Sequence, residues 1–168
     1  GAAKASHIKD KLIEMTHLNE TLFCCGMACS HCGHQTASGS YMIDLLLANV
    51  CKLNVTRFPY EIVRLAEDIA GGLMVTAPSE ADFRSEEVGP LVEKYLKGVD
   101  GVGTEDRLRL LRLIENICLG SAAVGYRTES MHGAGSPQAM RIMISRQGNL
   151  EQKKKLAKAL AHIEETEE

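Results

Sequence analysis

A carboxylate and an imidazole three residues apart, Glu129 and His132, sit in the segment Tyr126-Arg-Thr-Glu-Ser-Met-His-Gly-Ala-Gly-Ser-Pro-Gln138. Side chains of these two types can pass a proton to and from one reacting centre. Gly133 and Gly135 let backbone approach a ligand closely. Ser136-Pro137 has the composition of a helix start, where open amides and a partial positive charge favour an anion. The segment has no amphipathic period and reads as a loop. A polar interhelix loop whose glycines serve only turns has the same composition, so both readings stand at the level of the residues.

A glycine pair gives a second candidate. Gly71-Gly72 stops a segment of helical apolar period and precedes Leu73-Met-Val-Thr-Ala-Pro78, which reads as extended. Backbone amides freed at such a break can hold a flavin or phosphate oxygen, although a glycine pair also serves as a plain helix C-cap. Three thiols, Cys25, Cys29 and Cys32, have the spacing of the iron-sulfur motif of radical enzymes that cleave S-adenosylmethionine, with His31 and His34 beside them. That motif belongs to a loop after a strand. Here the spacing i, i+4, i+7 continues a helical stripe, so the thiols read as small apolar packing residues. His17 and Glu20 read as a helix-surface pair, and Arg107, Arg109 and Arg112 as a solvated or intersubunit face.

The elements that must position these groups are helical. Ile8, Leu12, Met15, Leu22, Cys25 and Cys29 recur at threes and fours and predict one helix over residues 4–32. At 1.5 Å per residue it would be about 40 Å long. Residues 33–39 form a turn, 41–58 a second helix ended by Pro59, and 60–70 a third that stops at the glycine pair. A shorter helix is expected over 86–97, closed by Gly98. Another follows over 105–119, with Thr104 as N-cap and Glu105 and Asp106 in its first turn. The last two cover 137–146 and a stretch from the Asn149 cap, with Gln152 in the capping-box position, to about Glu165. Neither strand alternation nor an internal repeat is visible, so the class is all-α, a helical bundle.

Composition bounds the function. The 168 residues, 45% hydrophobic and 24% charged, suit one soluble domain with a substantial core. A net charge of −3 with interspersed signs gives no support to nucleic-acid binding, and the absence of Trp argues against base-stacking platforms. No apolar run approaches the roughly 20 residues of a membrane span, and no signal-peptide core opens the chain. A cytoplasmic protein with no membrane partner is therefore expected. Six cysteines, four of them crowded between Cys24 and Cys32, suit reduced thiols better than a disulfide framework.

Several stretches together resemble the C-terminal helical domain of the 4-hydroxybutyryl-CoA dehydratase/vinylacetyl-CoA Δ-isomerase family. They are Met15-Thr-His-Leu-Asn-Glu-Thr21, Ser38-Gly-Ser-Tyr-Met42, Leu46-Leu-Ala-Asn49, Tyr60-Glu-Ile-Val-Arg-Leu-Ala-Glu-Asp-Ile-Ala-Gly-Gly-Leu73, Lys94-Tyr-Leu-Lys-Gly98 and Thr128-Glu-Ser-Met-His-Gly-Ala-Gly-Ser-Pro-Gln-Ala139. The match covers nearly the whole chain. More distantly the pattern is similar to flavin-dependent 4-hydroxyphenylacetate hydroxylases and to acyl-CoA dehydrogenases, which implies an acyl-CoA dehydrogenase C-terminal-like helical bundle. The resemblance implies that residues 1–168 are a single helical domain of a longer three-domain enzyme whose N-terminal and middle domains are missing here. It also implies FAD and a [4Fe-4S] cluster as cofactors, with the cluster's ligands outside this chain and no metal ligand within it, an acyl-CoA substrate, and a homotetramer.

Residue by residue, Glu129 resembles the family's catalytic glutamate, and His132 a partner that orients it or the flavin. Ala70, Gly71, Gly72, Leu73 and Met74 resemble the family's flavin-contacting loop. The implied chemistry removes a weakly acidic β-hydrogen from the acyl-CoA by a radical route, with the flavin accepting one electron and the cluster assisting loss of the hydroxyl. Glu129 would carry the proton, a role that needs a carboxylate whose pKa is raised in a dry pocket. The domain alone is expected to be inactive. The alternatives are a flavin-dependent aromatic hydroxylase or acyl-CoA-oxidising enzyme of the same fold, and a non-catalytic helical oligomerisation module.

Overall fold

The structure, a computed structural model, describes residues 2–163. After a single 3-10 turn at Ala2–Lys4, the described elements begin with α1 (Ser6–His31), the two-residue strands β1 (His34–Gln35) and β2 (Tyr41–Met42), α2 (Leu45–Val55), α3 (Phe58–Ala70) and α4 (Leu73–Thr76). They continue with α5 (Glu80–Arg84), α6 (Gly89–Leu96), α7 (Thr104–Cys118), a π-turn at Val124–Glu129, α8 (Ser130–Ala134), α9 (Pro137–Gln147) and α10 (Leu150–Leu160). The all-α class expected from the apolar periods therefore holds, with four strand residues as the only exception among the described residues. No described helix is long and apolar enough to cross a membrane. Contacts divide the chain into two units: residues up to Asn19 with Phe58–Met131, and Glu20–Arg57 with everything from His132 onward. Helix α1 gives its first half to one unit and its second half to the other.

In the first unit α3 and α4 both pack on α7, and α5 packs on α6. Leu65 of α3, Met74 of α4, and Leu108, Leu111 and Cys118 of α7 are buried there, which places α7 at the centre of this core. Pro59 lies in the first turn of α3, where its missing amide hydrogen costs nothing. The expected extended stretch after Gly72 is instead a helical turn: Met74 and Ala77 are buried against the core, and burial overrides a weak local preference. The cap expected at Thr104 is Gly103; Thr104 is itself buried, and its hydroxyl donates to the Glu93 carbonyl at 3.2 Å. The expected helix over 86–97 shortens to α6. Ahead of it stands α5, opened by a capping box between Ser79 and Asp82. Gly89 is required at that corner, because a Cβ there would come within 2.6 Å of the Phe83 carbonyl oxygen.

Of the three arginines expected on a solvated or intersubunit face, Arg107 and Arg112 are half-buried. Arg107 donates to the Leu96 carbonyl at 2.6 Å, and Arg112 to the Ala77 carbonyl at 2.6 Å while pairing with Glu115 at 3.1 Å. Each guanidinium thus satisfies a chain end that has no helical partner. Arg109 does remain exposed.

In the second unit α2 packs on α9, with Ala48 and Met140 in the contact core. The second helix begins at Leu45 rather than residue 41, since the Asp44 carboxylate accepts from the Leu47 amide at 2.8 Å. Tyr41 and Met42 instead pair antiparallel with Gln35 and His34 around a turn in which Gly39 has φ +82°. The Tyr41 hydroxyl donates to the Ser30 carbonyl at 2.7 Å and so covers an open acceptor at the end of α1. Asn149, at φ 48°, caps α10 by accepting from the Gln152 amide, as expected. That helix ends at Leu160. The expected end near Glu165 lies outside the described residues.

Candidate active site

The segment carrying Glu129 is helical, contrary to the loop expected from its lack of period. Residues Val124–Glu129 form a π-turn, which gives way to α8 at Ser130. A π-turn spaces side chains by neither of the usual periods, and such turns concentrate at functional sites. Arg127 projects from it over the Tyr60 ring of α3, its guanidinium carbon 5.3 Å from the ring centre. The neighbouring Cys118 thiol is pushed up in pKa, first by burial and then by the Glu67 carboxylate, while the Arg127 charge pulls the other way. The Arg127–Tyr60 contact ties the π-turn to α3. Glu129, two residues on, is exposed. A Cβ at Gly125 would sit in ordinary contact, 3.8 Å from the Glu129 Oε2, so the carboxylate lies beside this glycine.

His132 begins the second unit's return segment and is exposed; its carbonyl accepts from the Gly135 amide at 3.1 Å. Gly135 has φ +94°, a conformation that an L side chain adopts only under strain. Ser136 then caps α9 and Pro137 occupies its first turn, as expected. Gly133 has open space around it.

The glycine break has a different geometry. Gly71, at φ +67°, closes α3 by donating to the Glu67 carbonyl at 2.8 Å. Gly72 is in an ordinary helical conformation, φ −60° and ψ −23°, and nothing lies within 4 Å of where its Cβ would be. Its carbonyl accepts from the Val75 and Thr76 amides and from the Thr76 hydroxyl. The amides of Gly72 and Leu73 donate to no described residue. Both glycines are exposed, Ala70 and Leu73 are half-buried, and Met74 is buried. Met74 therefore anchors the turn from behind, while Ala70 to Leu73 offer backbone to the outside.

The thiol row holds no comparable opening. Cys29 is buried and Cys25 half-buried, as a packing stripe requires, but Cys32 is exposed and lies outside that stripe, beyond the end of α1. The Cys29 Sγ donates to the Gly26 carbonyl at 3.1 Å, and Cys51 of α2 reaches the Leu22 carbonyl at 3.7 Å. Among the described residues no group of three or more His, Cys, Asp or Glu side chains could hold a metal ion. Sequence reasoning missed Tyr60 and Arg127. Their signal was a tyrosine directly after the proline of α3 and an arginine inside the unperiodic segment.

Residues 1–162 match the family described as HpaB, 4-hydroxyphenylacetate 3-hydroxylase C terminal. The 4-hydroxybutyryl-CoA dehydratase/vinylacetyl-CoA-Delta-isomerase of Clostridium aminobutyricum is 70% identical over 171 residues, which cover 97% of this chain and 35% of that protein. The solved structure of an oxygen-tolerant archaeal 4-hydroxybutyryl-CoA dehydratase from N. maritimus is 65% identical, with a TM-score of 0.92 over 100% of this chain and 34% of the other. The oxygenase component (HpaB) of 4-hydroxyphenylacetate 3-monooxygenase, solved with FAD and 4-hydroxyphenylacetate, is 23% identical. It shares the fold with a TM-score of 0.83 over 95% of this chain and 33% of its own. The chain thus spans about a third of the length of these relatives.

Proposed function

The chain belongs to the 4-hydroxyphenylacetate 3-hydroxylase C-terminal family, and on that footing we propose that it is the C-terminal domain of a lyase and isomerase that dehydrates 4-hydroxybutyryl-CoA and isomerises vinylacetyl-CoA. The observation that carries this reading is the identity to the dehydratase/isomerase, sustained across nearly the whole chain. The remaining two-thirds of such an enzyme would be the N-terminal and middle domains, without which this domain is inactive. A homotetramer in the cytoplasm completes the proposal.

The residues of the glycine break fit a flavin. Two open amides stand side by side at Gly72 and Leu73, and no Cβ at Gly71 or Gly72 hinders the approach of a planar ring system. When bound there, FAD would supply a one-electron acceptor that lowers the barrier to removing the β-hydrogen. Ala70 to Leu73 bind and orient it through backbone, and Met74 keeps the turn in place. The [4Fe-4S] cluster that the family resemblance implies would take its ligands from the N-terminal and middle domains of the full-length enzyme.

Glu129 moves the proton. Its carboxylate is exposed at the end of the π-turn, where an acyl chain can reach it. Isomerisation of vinylacetyl-CoA needs only removal of a proton at one carbon and its return at another, so one carboxylate serves both reactions. This chain alone leaves Glu129 exposed, so the walls that keep water from the carboxylate come from the missing domains. Glu129→Gln in the full-length enzyme is expected to lower both the dehydration and the isomerisation rates by roughly 10²–10⁴-fold, with flavin content unchanged. Normal rates in that variant would remove Glu129 from the mechanism.

A further inference from the structure

Five of the six residues of the π-turn are exposed, and Arg127 is the half-buried one. Before the turn the chain is anchored by Ala123, which is buried; after it the next half-buried residue is Met131. Arg127 is therefore the one inward-turned side chain between them. It meets the body of its unit without a carboxylate: among the described residues its guanidinium forms no ion pair and no hydrogen bond, and its contact is the Tyr60 ring of α3 at 5.3 Å. The rest of the turn is tied to itself. The Ser130 amide donates to the Arg127 carbonyl, the Ser130 hydroxyl donates to the Gly125 carbonyl at 3.5 Å, and Gly125 lies beside the Glu129 carboxylate. A π-turn is an α-turn with one residue inserted, closed by i→i+5 bonds in place of i→i+4. Released from its anchor, it has the ordinary α-turn to relax into. Loss of one residue from the turn carries the side chains that follow by one step, roughly 100° around the helix axis. Glu129, two residues after Arg127, is the first titratable side chain moved in this way.

We propose that Arg127 is a positioning residue: seated on the Tyr60 ring, it holds the π-turn in the register that presents the Glu129 carboxylate. The inference rests on the reading of Glu129 as the group that moves the proton. A cation over an aromatic face fits the task. Its attraction is centred on the ring, so it fixes where the guanidinium lies along α3. A salt bridge to Glu129 would hold the turn as well, but it would commit the charge of the proton carrier; among the described residues Glu129 has no ion pair. Helix α3 is a firm base, packed on α7 with Leu65 buried. Where a site supplies geometry, a misplacement of about 1 Å costs roughly a hundredfold in rate. Loss of the anchor is therefore read in turnover and leaves substrate binding alone.

The test uses the full-length holoenzyme with 4-hydroxybutyryl-CoA as substrate. Arg127→Met is expected to lower kcat roughly tenfold to hundredfold, with KM and flavin content unchanged, and Tyr60→Leu to do the same. Tyr60→Phe keeps the ring face, so it is the conservative rescue and should retain kcat. The decisive readout is the Glu129→Gln background. There Arg127→Met should cost nothing further, because a residue that acts only through the carboxylate has nothing left to position. A further loss in that background, a rise in KM at unchanged kcat, or a wild-type kcat in Arg127→Met overturns the inference. If Arg127→Met does not fold, the Tyr60 pair still decides: equal rates in Tyr60→Phe and Tyr60→Leu overturn it. A slow Glu129→Gln beside a normal Arg127→Met sinks this inference alone, whereas a normal Glu129→Gln sinks the assignment of Glu129 on which it rests.

Discussion

The glycine break between α3 and α4 and the thiol row of α1 are the two places where the sequence spacing points to a cofactor, and they differ in what their polar groups have left to offer. At the break, Gly72 and Leu73 carry amides with no described acceptor, beside a glycine whose side-chain space is empty. In the thiol row, the buried Cys29 Sγ already donates to a carbonyl of its own helix, and the Cys51 Sγ to Leu22. A buried polar group that is satisfied has no reason to bind anything else, while an exposed unsatisfied one is a ready partner. The helical spacing had already read the thiols as packing residues, and the hydrogen bond of the buried Cys29 agrees with it.

The sharpest way to break the comparison is to fill the space at Gly72. Nothing in this chain opposes a side chain there, and the backbone is ordinary, so Gly72→Leu should leave the melting temperature of the apo full-length enzyme unchanged. Flavin content should nevertheless fall at least tenfold, because the new side chain occupies the space the ring system needs. Full flavin loading would take the break out of the site. Gly71→Ala is the complement. With φ at +67° it strains the backbone by roughly 1–2 kcal/mol whether or not a ligand is present. It should therefore lower the melting temperature of the apo enzyme, an effect absent from Gly72→Leu.

How much of this was legible follows from the range over which each interaction acts. The Asn149–Gln152 cap of α10 and the helix of α1 are local signals and appear where the sequence puts them, whereas the second helix expected to run to Pro59 ends at Val55 and Leu12 of the expected α1 stripe is exposed. The strands β1 and β2 are two residues each, too short for any alternation to register. The turn α4 forms because Met74 and Ala77 find the core of their unit, which four residues of sequence cannot announce. Arg112 reads as a surface charge on a helical wheel because its partner, the Ala77 carbonyl, is 35 residues away. Glu129 and the glycine pair were legible as candidates from residue type and family pattern. The π-turn under Glu129 was not, since its spacing mimics the absence of structure.

A smaller effect belongs to the thiol region itself. The Cys51 thiol is pushed above its ordinary value of 9.0, first by burial and then by Cys25 and Cys29. A group raised in the folded state keeps its full contribution below the unfolded pKa and loses it as pH climbs through the folded one. Stability should thus be flat in this respect below about pH 8.5 and fall above it, and Cys51→Ala should flatten the alkaline decline in urea melts. An identical alkaline slope in both proteins would mean that the Cys51 site is open to water.

The smallest expected effect is the one that bears most directly on the contrast. If the row is packing, replacing Cys25, Cys29 and Cys32 one at a time with Ala leaves the iron content per flavin of the full-length enzyme where it was, and only the Cys29 variant unfolds more easily. Cys29 is the buried member, so its loss opens a small void, whereas Cys32 is exposed and Cys25 half-buried. A ligand set behaves in the opposite manner, since removing any one thiolate from a cluster depletes the metal regardless of how deeply that residue is packed. Iron that follows the number of thiols would reinstate the spacing argument; stability that follows burial, with iron constant, keeps the cofactor chemistry at the glycine break and outside the thiol row.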